Sequence, residues 1–339
     1  MVSIKDIAKL TGFSVTTVSR ALNNHSDVNE QTKAIIQKAA RENDYAPNIL
    51  AKSLVNKNSK TFGFITSNFS ATTLMDSFSF KLFMNCVNRA NELGYEIVLI
   101  HYKASIHNMK SFAQIISERN LEGAIIQGFD ESDPFCKEAA ESSIPTVFID
   151  IERNTENTTY VSSDVKKAVE IGFSYLLSKG HTSFCFIHGT PESWITQKWL
   201  LEVEAFRQKH TAAIEDFYLL DGSYALEPTR QVVKEFYEKK ENKQVTAIFA
   251  TSDVMGIGAM KGVADCGLSV PEDISILGYD NIVLAEYVTP ALTTISQNLE
   301  GVGSRAVEYL LELTKGQVVK PGILDVTLVK RESVGVKHD

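Results

Sequence analysis

An apolar rhythm of helical period opens the chain, breaks, and restarts twice within the first sixty residues. Ile4, Ile7 and Ala8 share one helical face, and that helix must end at Gly12, where a sharp turn needs positive φ. Ser14 suits the N-cap of a second helix from about Val15 to Leu22, with Val18, Ala21 and Leu22 as its buried face. The small Ala8, the Gly12 turn and the apolar Val18 have the spacing of a helix-turn-helix, whose two helices approach closely. A third helix, capped by Asn29, is expected to pack Ile35, Ile36, Ala39 and Ala40 on the first two and to stop by Asn43 and Tyr45-Ala46-Pro47. The next apolar piece, Asn48-Ile49-Leu50-Ala51-Lys52-Ser53-Leu54, is too short to hold a helix by itself. It runs into the polar linker Asn56-Lys57-Asn58-Ser59-Lys60.

From Thr61 the texture changes to strands alternating with helices. Strands are predicted at Phe62–Thr66, Glu96–His101, Gly123–Gln127 and Thr146–Ile149, then at Phe184–Ile187, Phe217–Leu220, Ala247–Ala250 and Ile274–Leu277. Helical periodicity separates them, at Lys81–Leu93, Lys110–Arg119, Val165–Ser178, Thr229–Lys239 and Val254–Ala264. Such alternation implies parallel, doubly wound sheets, and two sets imply two α/β lobes with a cleft between them. The predicted fold is therefore a small all-α helix-turn-helix head (1–46), a hinge and linker (47–60), and an α/β core of two doubly wound parallel-sheet lobes (61–339).

Charge sharpens this division. The 339 residues carry a net −8, yet residues 1–60 hold nine basic against five acidic side chains and the remainder 25 against 37. A basic head of +4 on an acidic body of −12 is what a small module meeting phosphates would show. On the second helix the outward residues are Val15, Thr16, Thr17, Ser19 and Arg20. Val and Thr methyls can meet thymine methyls, Arg20 can pair bidentately with guanine, and the Ser3 and Thr17 hydroxyls suit phosphates.

The runs IKDIAKLTGFSVTTVSRALN and YAPNILAKSL resemble the head and hinge of the lactose-repressor/galactose-repressor family of bacterial transcription regulators. VSSD (161–164), KGH (179–181), GLSVPEDISILGYDN (267–281), LAEYVTPALTTISQ (284–297) and KRES (330–333) resemble family landmarks in the core, so the likeness covers nearly the whole chain. It implies a homodimer that binds double-stranded operator DNA and a core like that of periplasmic sugar-binding proteins. It also implies a first lobe of about 61–160 plus 293–322, a second of about 161–292 plus 323–339, and a dimer helix near 82–94. In the family the hinge becomes helical on DNA and a leucine wedges into the minor groove. That carries over to Leu54, with Asn48, Ala51 and Lys52 beside it, although Leu54 can alternatively pack on the core.

For the small-molecule effector, the resemblance points to Asp280 of the Gly-Tyr-Asp motif, Phe78 as a stacking aromatic, Ser252-Asp253 in place of the usual Asn-Asp, and Tyr224. The family arginine is absent: Glu202 stands at its position, and Lys198 supplies the charge only if the alignment slips by one turn. A glutamate there predicts a neutral saccharide or an amine-bearing ligand over a sugar phosphate or organic acid. Trp194 and Trp199 can stack on a sugar ring or pack between elements.

No glycine-rich phosphate loop, nucleophile elbow or metal-ligand cluster is present, so an enzyme is not expected, nor a cofactor. Cys86, Cys136, Cys185 and Cys266 are too dispersed for a disulfide framework or zinc site. No apolar run reaches the roughly 20 residues of a membrane span and no signal-peptide core is seen, which predicts a cytoplasmic protein without membrane partners. A free-standing solute-binding protein would fit the core but leaves the head unexplained. Within the family, control by a phosphorylated carrier protein on the helix Leu299–Thr314 is the second possibility, with Arg305 as its basic candidate. No heptad extension follows Val336, so a coiled-coil tetramer is not expected.

Overall fold

The computed structural model describes residues 2–45, 59–67, 78–103, 110–130, 132–239, 242 and 244–337. The chain divides into two compact units, Met1–Ser59 and Lys60–Asp339. The hinge candidates Asn48, Ala51, Lys52 and Leu54 lie outside the described residues.

The first unit is a three-helix cluster of α1 (Ile4–Thr11), α2 (Val15–Leu22) and α3 (Glu30–Glu42). Ser3 and Asp6 form a reciprocal capping box on α1, and Gly12 closes it at φ 74° with its N–H on the Ala8 carbonyl. Ser14 caps α2 through the Thr17 N–H, and Asn29 caps α3 through the N–H groups of Gln31 and Thr32. Ile7, Ala8, Val18, Ala21, Val28 and Ile36 form the core. The inward phase of α3 differs from expectation: Ile36 and Ala40 are buried, whereas Ile35 is 52% exposed. The third inward position is Lys33, three before Ile36, whose stem is buried while its ammonium reaches Glu30 at 2.6 Å.

The second unit contains two six-stranded sheets. In the first lobe, β1 (Thr61–Thr66), β2 (Glu96–His101), β3 (Gly123–Gln127), β4 (Thr146–Ile149), β5 (Thr158–Ser163) and β11 (Gly322–Leu324) run in the order β11-β5-β4-β3-β1-β2, every pairing parallel. In the second lobe, β6 (Ser183–His188), β7 (Asp216–Asp221), β8 (Ala247–Ala250), β9 (Ser275–Asp280), β10 (Thr293–Ser296) and β12 (Thr327–Val329) run in the order β12-β10-β9-β8-β6-β7. There only the β10–β12 pairing is antiparallel.

Helices cover both faces of each sheet. α4 (Phe78–Glu92), α5 (Phe112–Glu118), α6 (Pro134–Glu141) and α12 (Leu299–Thr314) serve the first lobe. α7 (Val165–Ser178), α8 (Trp194–Lys209), α9 (Leu226–Tyr237), α10 (Asp253–Asp265) and the short α11 (Leu284–Tyr287) serve the second. The central strands read as unbroken apolar runs (Ala-Ile-Ile, Phe-Cys-Phe-Ile, Ala-Ile-Phe-Ala) because both their faces are buried.

The chain passes between lobes later than the sequence boundaries of 161 and 293 placed it. β5 stays in the first sheet through Ser163, and β10 pairs with β9 in the second before the chain returns to form α12. Cys86, Cys136 and Cys185 are buried and Cys266 is half-buried, all as free thiols. Burial pushes the Cys136 thiol up to about 12.

Candidate functional site

On the head, Val15, Thr16 and Arg20 are exposed and Thr17 and Ser19 half-buried, so α2 turns these five positions away from the buried Val18 and Ala21. Two of the candidate hydroxyls already have local partners. Ser3 Oγ donates to Asp6 at 2.6 Å, and Thr17 Oγ1 lies 2.8 Å from Ser14 Oγ. Arg20 is held by Asp27, with Nε 3.2 Å from one carboxylate oxygen and Nη2 2.5 Å from the other.

Within the core, a cavity of about 750 Å³ lies between the two lobes. Its walls include the residues at or just beyond the strand C-termini: Gln127 ending β3 and Gly128–Asp130 after it, Asp150 after β4, Ser163 ending β5, Thr251 and Ser252 after β8, and Asp280 ending β9. Ligand sites in open α/β sheets form at such ends because the loops there are free of the sheet's packing.

Asp280 is the most constrained of these groups. It is 8% exposed and sits at φ 119°, a conformation that costs an L residue about 1–3 kcal/mol and is kept only where surrounding contacts enforce it. Gln297, at the crossing after β10, donates from Nε2 to Asp280 Oδ1 at 2.5 Å. The Gln297 amide oxygen in turn accepts from Ser163 Oγ at 3.0 Å, at the crossing after β5. Asp253 braces the same loop: it accepts from the Ile282 N–H at 2.9 Å and from Thr294 Oγ1 at 2.5 Å. Burial pushes the carboxyls of Asp280 and Asp253 well above the ordinary carboxylate range, and the neighbouring Asp253 charge adds to the rise at Asp280.

Phe78, Trp194, Tyr224, Ser252 and Asp280 all line the cavity; Asp253 and Glu202 do not. Asp253 is fully buried behind the loop it braces. Glu202 lies eight residues beyond Trp194 on α8, about 12 Å further from the helix end that meets the cavity. Trp199 is 2% exposed and packs edge-on against Tyr279, with ring centroids 4.8 Å apart, so it belongs mainly to the core. Lys198 is paired with Glu152 at 2.5 Å. Tyr224 lies against Gly189, and its hydroxyl is 3.0 Å from Thr196 Oγ1. Desolvation of its hydroxyl pushes that phenol up to about 12, although the residue as a whole is 37% exposed.

Residues the sequence reading missed are Asp130, Asp150, Glu192, Ser163, Thr251 and Gln297. The available signal was positional, since most of them directly follow or end a strand. Among the described residues, no three His, Cys, Asp or Glu side chains gather to hold a metal ion, and no helix is long and apolar enough to cross a membrane. Arg305 on α12 lies 3.8 Å from Glu308 and over the ring of Tyr309.

Comparison with known proteins matches both units. Residues 3–48 match the model for bacterial regulatory proteins of the lacI family, and residues 173–334 match the periplasmic binding protein-like domain. A probable HTH-type transcriptional repressor, ExuR of Bacillus subtilis, is 32% identical over 314 residues, covering 92% of each chain. The HTH-type transcriptional repressor PurR of Aliivibrio fischeri is 29% identical over 319 residues, covering 93% of this chain and 92% of its own. The lac repressor dimer, solved with operator and the anti-inducer ONPF, superposes with a TM-score of 0.84 at 26% identity, covering 98% of this chain and 99% of its own. With a helix-turn-helix head, two parallel-sheet lobes and likeness of this extent, the chain belongs to the lacI family of bacterial regulatory proteins and is a DNA-binding transcriptional repressor.

Proposed function

We propose that this repressor acts as a homodimer whose grip on operator DNA is set by a small, non-anionic molecule of the saccharide class bound between the lobes. The observation that carries this reading is the chain of hydrogen bonds Ser163–Gln297–Asp280, which joins the cavity floor to two of the strands crossing between lobes. A ligand that donates hydrogen bonds to Asp280 bears directly on those crossings and therefore on the angle between lobes. It acts through its different affinity for the DNA-competent and incompetent arrangements, and a coupling of roughly 1–3 kcal/mol shifts operator affinity about 5- to 150-fold. Val15, Thr16, Thr17, Ser19 and Arg20 read the major groove, Ser3 touches phosphate, and Asn48, Ala51, Lys52 and the wedge Leu54 occupy the minor groove at the centre of a pseudo-palindromic site.

A thermal-shift screen against neutral sugars, amino sugars, sugar phosphates and organic acids tests the ligand class. A ligand at 100 times its dissociation constant stabilises the fold by about 2.7 kcal/mol. The expected result is a hit among the sugars without anionic groups that is lost in Asp280→Ala. Hits confined to anions, or none in any class, overturn this reading.

A further inference from the structure

The space between the lobes continues past Trp194. A second pocket of about 290 Å³ adjoins the main cavity, and Asp130, Glu192 and Trp194 line both. Lys137 on α6 and Arg153 beyond β4 close it from the first lobe, and Gln197 on α8 closes it from the second. The main cavity, at about 750 Å³, already stands high in the range of roughly 300–1,000 Å³ typical of clefts that enclose drug-sized molecules. A single hexose is smaller than such molecules. The site therefore has room for a larger ligand, and the chemistry of the second pocket says which kind.

Its charges balance. The carboxylates of Asp130 and Glu192 stand against the ammonium of Lys137 and the guanidinium of Arg153, so an ion of either sign meets repulsion as well as attraction. The carboxylates accept hydrogen bonds, and Lys137 and Arg153 donate them. Gln197 donates from Nε2 to the Pro191 carbonyl at 2.5 Å and offers its amide oxygen as a further acceptor. Such a mixture suits hydroxyl groups, each of which both donates and accepts. An apolar substituent would strip water from these side chains and return no hydrogen bond. The wall shared by the two pockets adds an independent demand. Trp194 Nε1 is buried without a hydrogen-bond partner among the described residues, and it needs an acceptor from whatever lies against it. The rest of the indole is an apolar face on which a sugar ring can lie.

Resting on the reading of the main cavity as a saccharide effector site, we propose that the effector is a neutral disaccharide. One ring lies at Asp280, and the second lies in the adjoining pocket among Lys137, Arg153 and Gln197. The Trp194 indole stands between them and takes an oxygen of the ligand at Nε1. Side chains of both lobes meet the second ring, so it bridges the lobes at the cavity's edge as the first ring does at its floor. A single hexose fills one pocket and leaves the other to water.

Calorimetry on the full chain with lactose, maltose, cellobiose and melibiose, against their constituent hexoses glucose and galactose, tests the proposal. At least one disaccharide should bind at least about tenfold more tightly than either of its hexoses. Lys137→Met and Gln197→Ala change exposed side chains and so have little folding to lose. Each should cost the disaccharide about 2- to 10-fold more than the hexose, the worth of one hydrogen bond. Trp194→Phe keeps a ring, removes the N–H and should shrink the disaccharide's advantage in the same way. A hexose that binds as tightly as every disaccharide containing it, and is lost in Asp280→Asn, overturns the second ring and keeps the cleft as effector site. A disaccharide preference untouched by all three variants overturns the adjoining pocket as its place. If no saccharide of either size binds, both readings fall.

Discussion

Lys198 Nζ on α8 of the second lobe lies 2.5 Å from Glu152 Oε1 in the first lobe, beyond β4, and ties the two lobes across the edge of the cavity. With the side chains 20% and 35% exposed, solvent screens the pair, and its contribution to folding is no more than about 1 kcal/mol. Its larger effect is on lobe closure. Glu152→Gln and Lys198→Met should each lower ligand affinity about 3- to 10-fold, and the double variant no further, because the contact is already gone. Multiplicative losses in the double variant would show that the two residues act separately.

Arg20 is exposed on α2 and bound to Asp27. On the base-reading role proposed for Arg20, Asp27 holds the guanidinium in one rotamer and competes with a base for it. Arg20→Ala should cost about 1–3 kcal/mol at one operator position and relax base preference there, as read by binding to a set of single-base operator variants. Asp27→Asn should keep the preferred base while steepening the salt dependence, because a negative charge near the phosphates is removed. Full discrimination in Arg20→Ala would remove this residue from the base-reading face.

Asp280 and Gln297 illustrate how far sequence reaches. The Gly278-Tyr279-Asp280 motif is visible as a short landmark, and so is the strand pattern that places Asp280 at a strand end. Gln297 closes the landmark 284–297, but its role is not legible there: it matters because β10 returns the chain to the crossing, a consequence of topology that periodicity does not report. Strands in long apolar runs were legible to within a residue or so, as at Gly123–Gln127 and Ala247–Ala250, since burial on both faces dictates their composition. Less legible was β10, with its Thr-Thr-Ile-Ser, whose polar hydroxyls are satisfied only by the folded surroundings. Glu202 takes its place from the family resemblance, which fixes a position on the helix but not how far along the axis the cavity extends.

The raised carboxyls give a pH dependence of definite sign. A carboxyl whose folded value lies above its ordinary 3.8 favours the fold while protonated, and that contribution is lost as pH rises through the folded value. Asp280→Asn keeps the neutral shape and removes the ionisation. Its melting temperature should therefore exceed that of the wild type at pH 7, by about 0.5–2 kcal/mol in stability, with the gap closing towards pH 4. An equal gap at both pH values would contradict burial as the cause.

Gly189 supplies a steric test of the Tyr224 wall. A Cβ built at this glycine falls 1.8 Å from Tyr224 Cε2, well inside contact distance, so Gly189→Ala must displace the ring. The expected cost is about 1–3 kcal/mol in stability together with weakened ligand binding. Gly267→Ala, at φ 73° with nothing within 4 Å of the added carbon, should cost stability through backbone strain alone and leave ligand affinity intact. Equal ligand affinity in the Gly189 variant and the wild type would take Tyr224 out of the site.

The most direct measurement is operator affinity of the full chain, by fluorescence anisotropy on a duplex selected from random DNA, with and without a saturating amount of the tightest ligand from the thermal-shift screen. The account predicts a shift of about 5- to 150-fold in the wild type and none in Asp280→Asn. An operator affinity that ignores the ligand in the wild type, or shifts equally in the variant, would contradict control of DNA binding through this cavity.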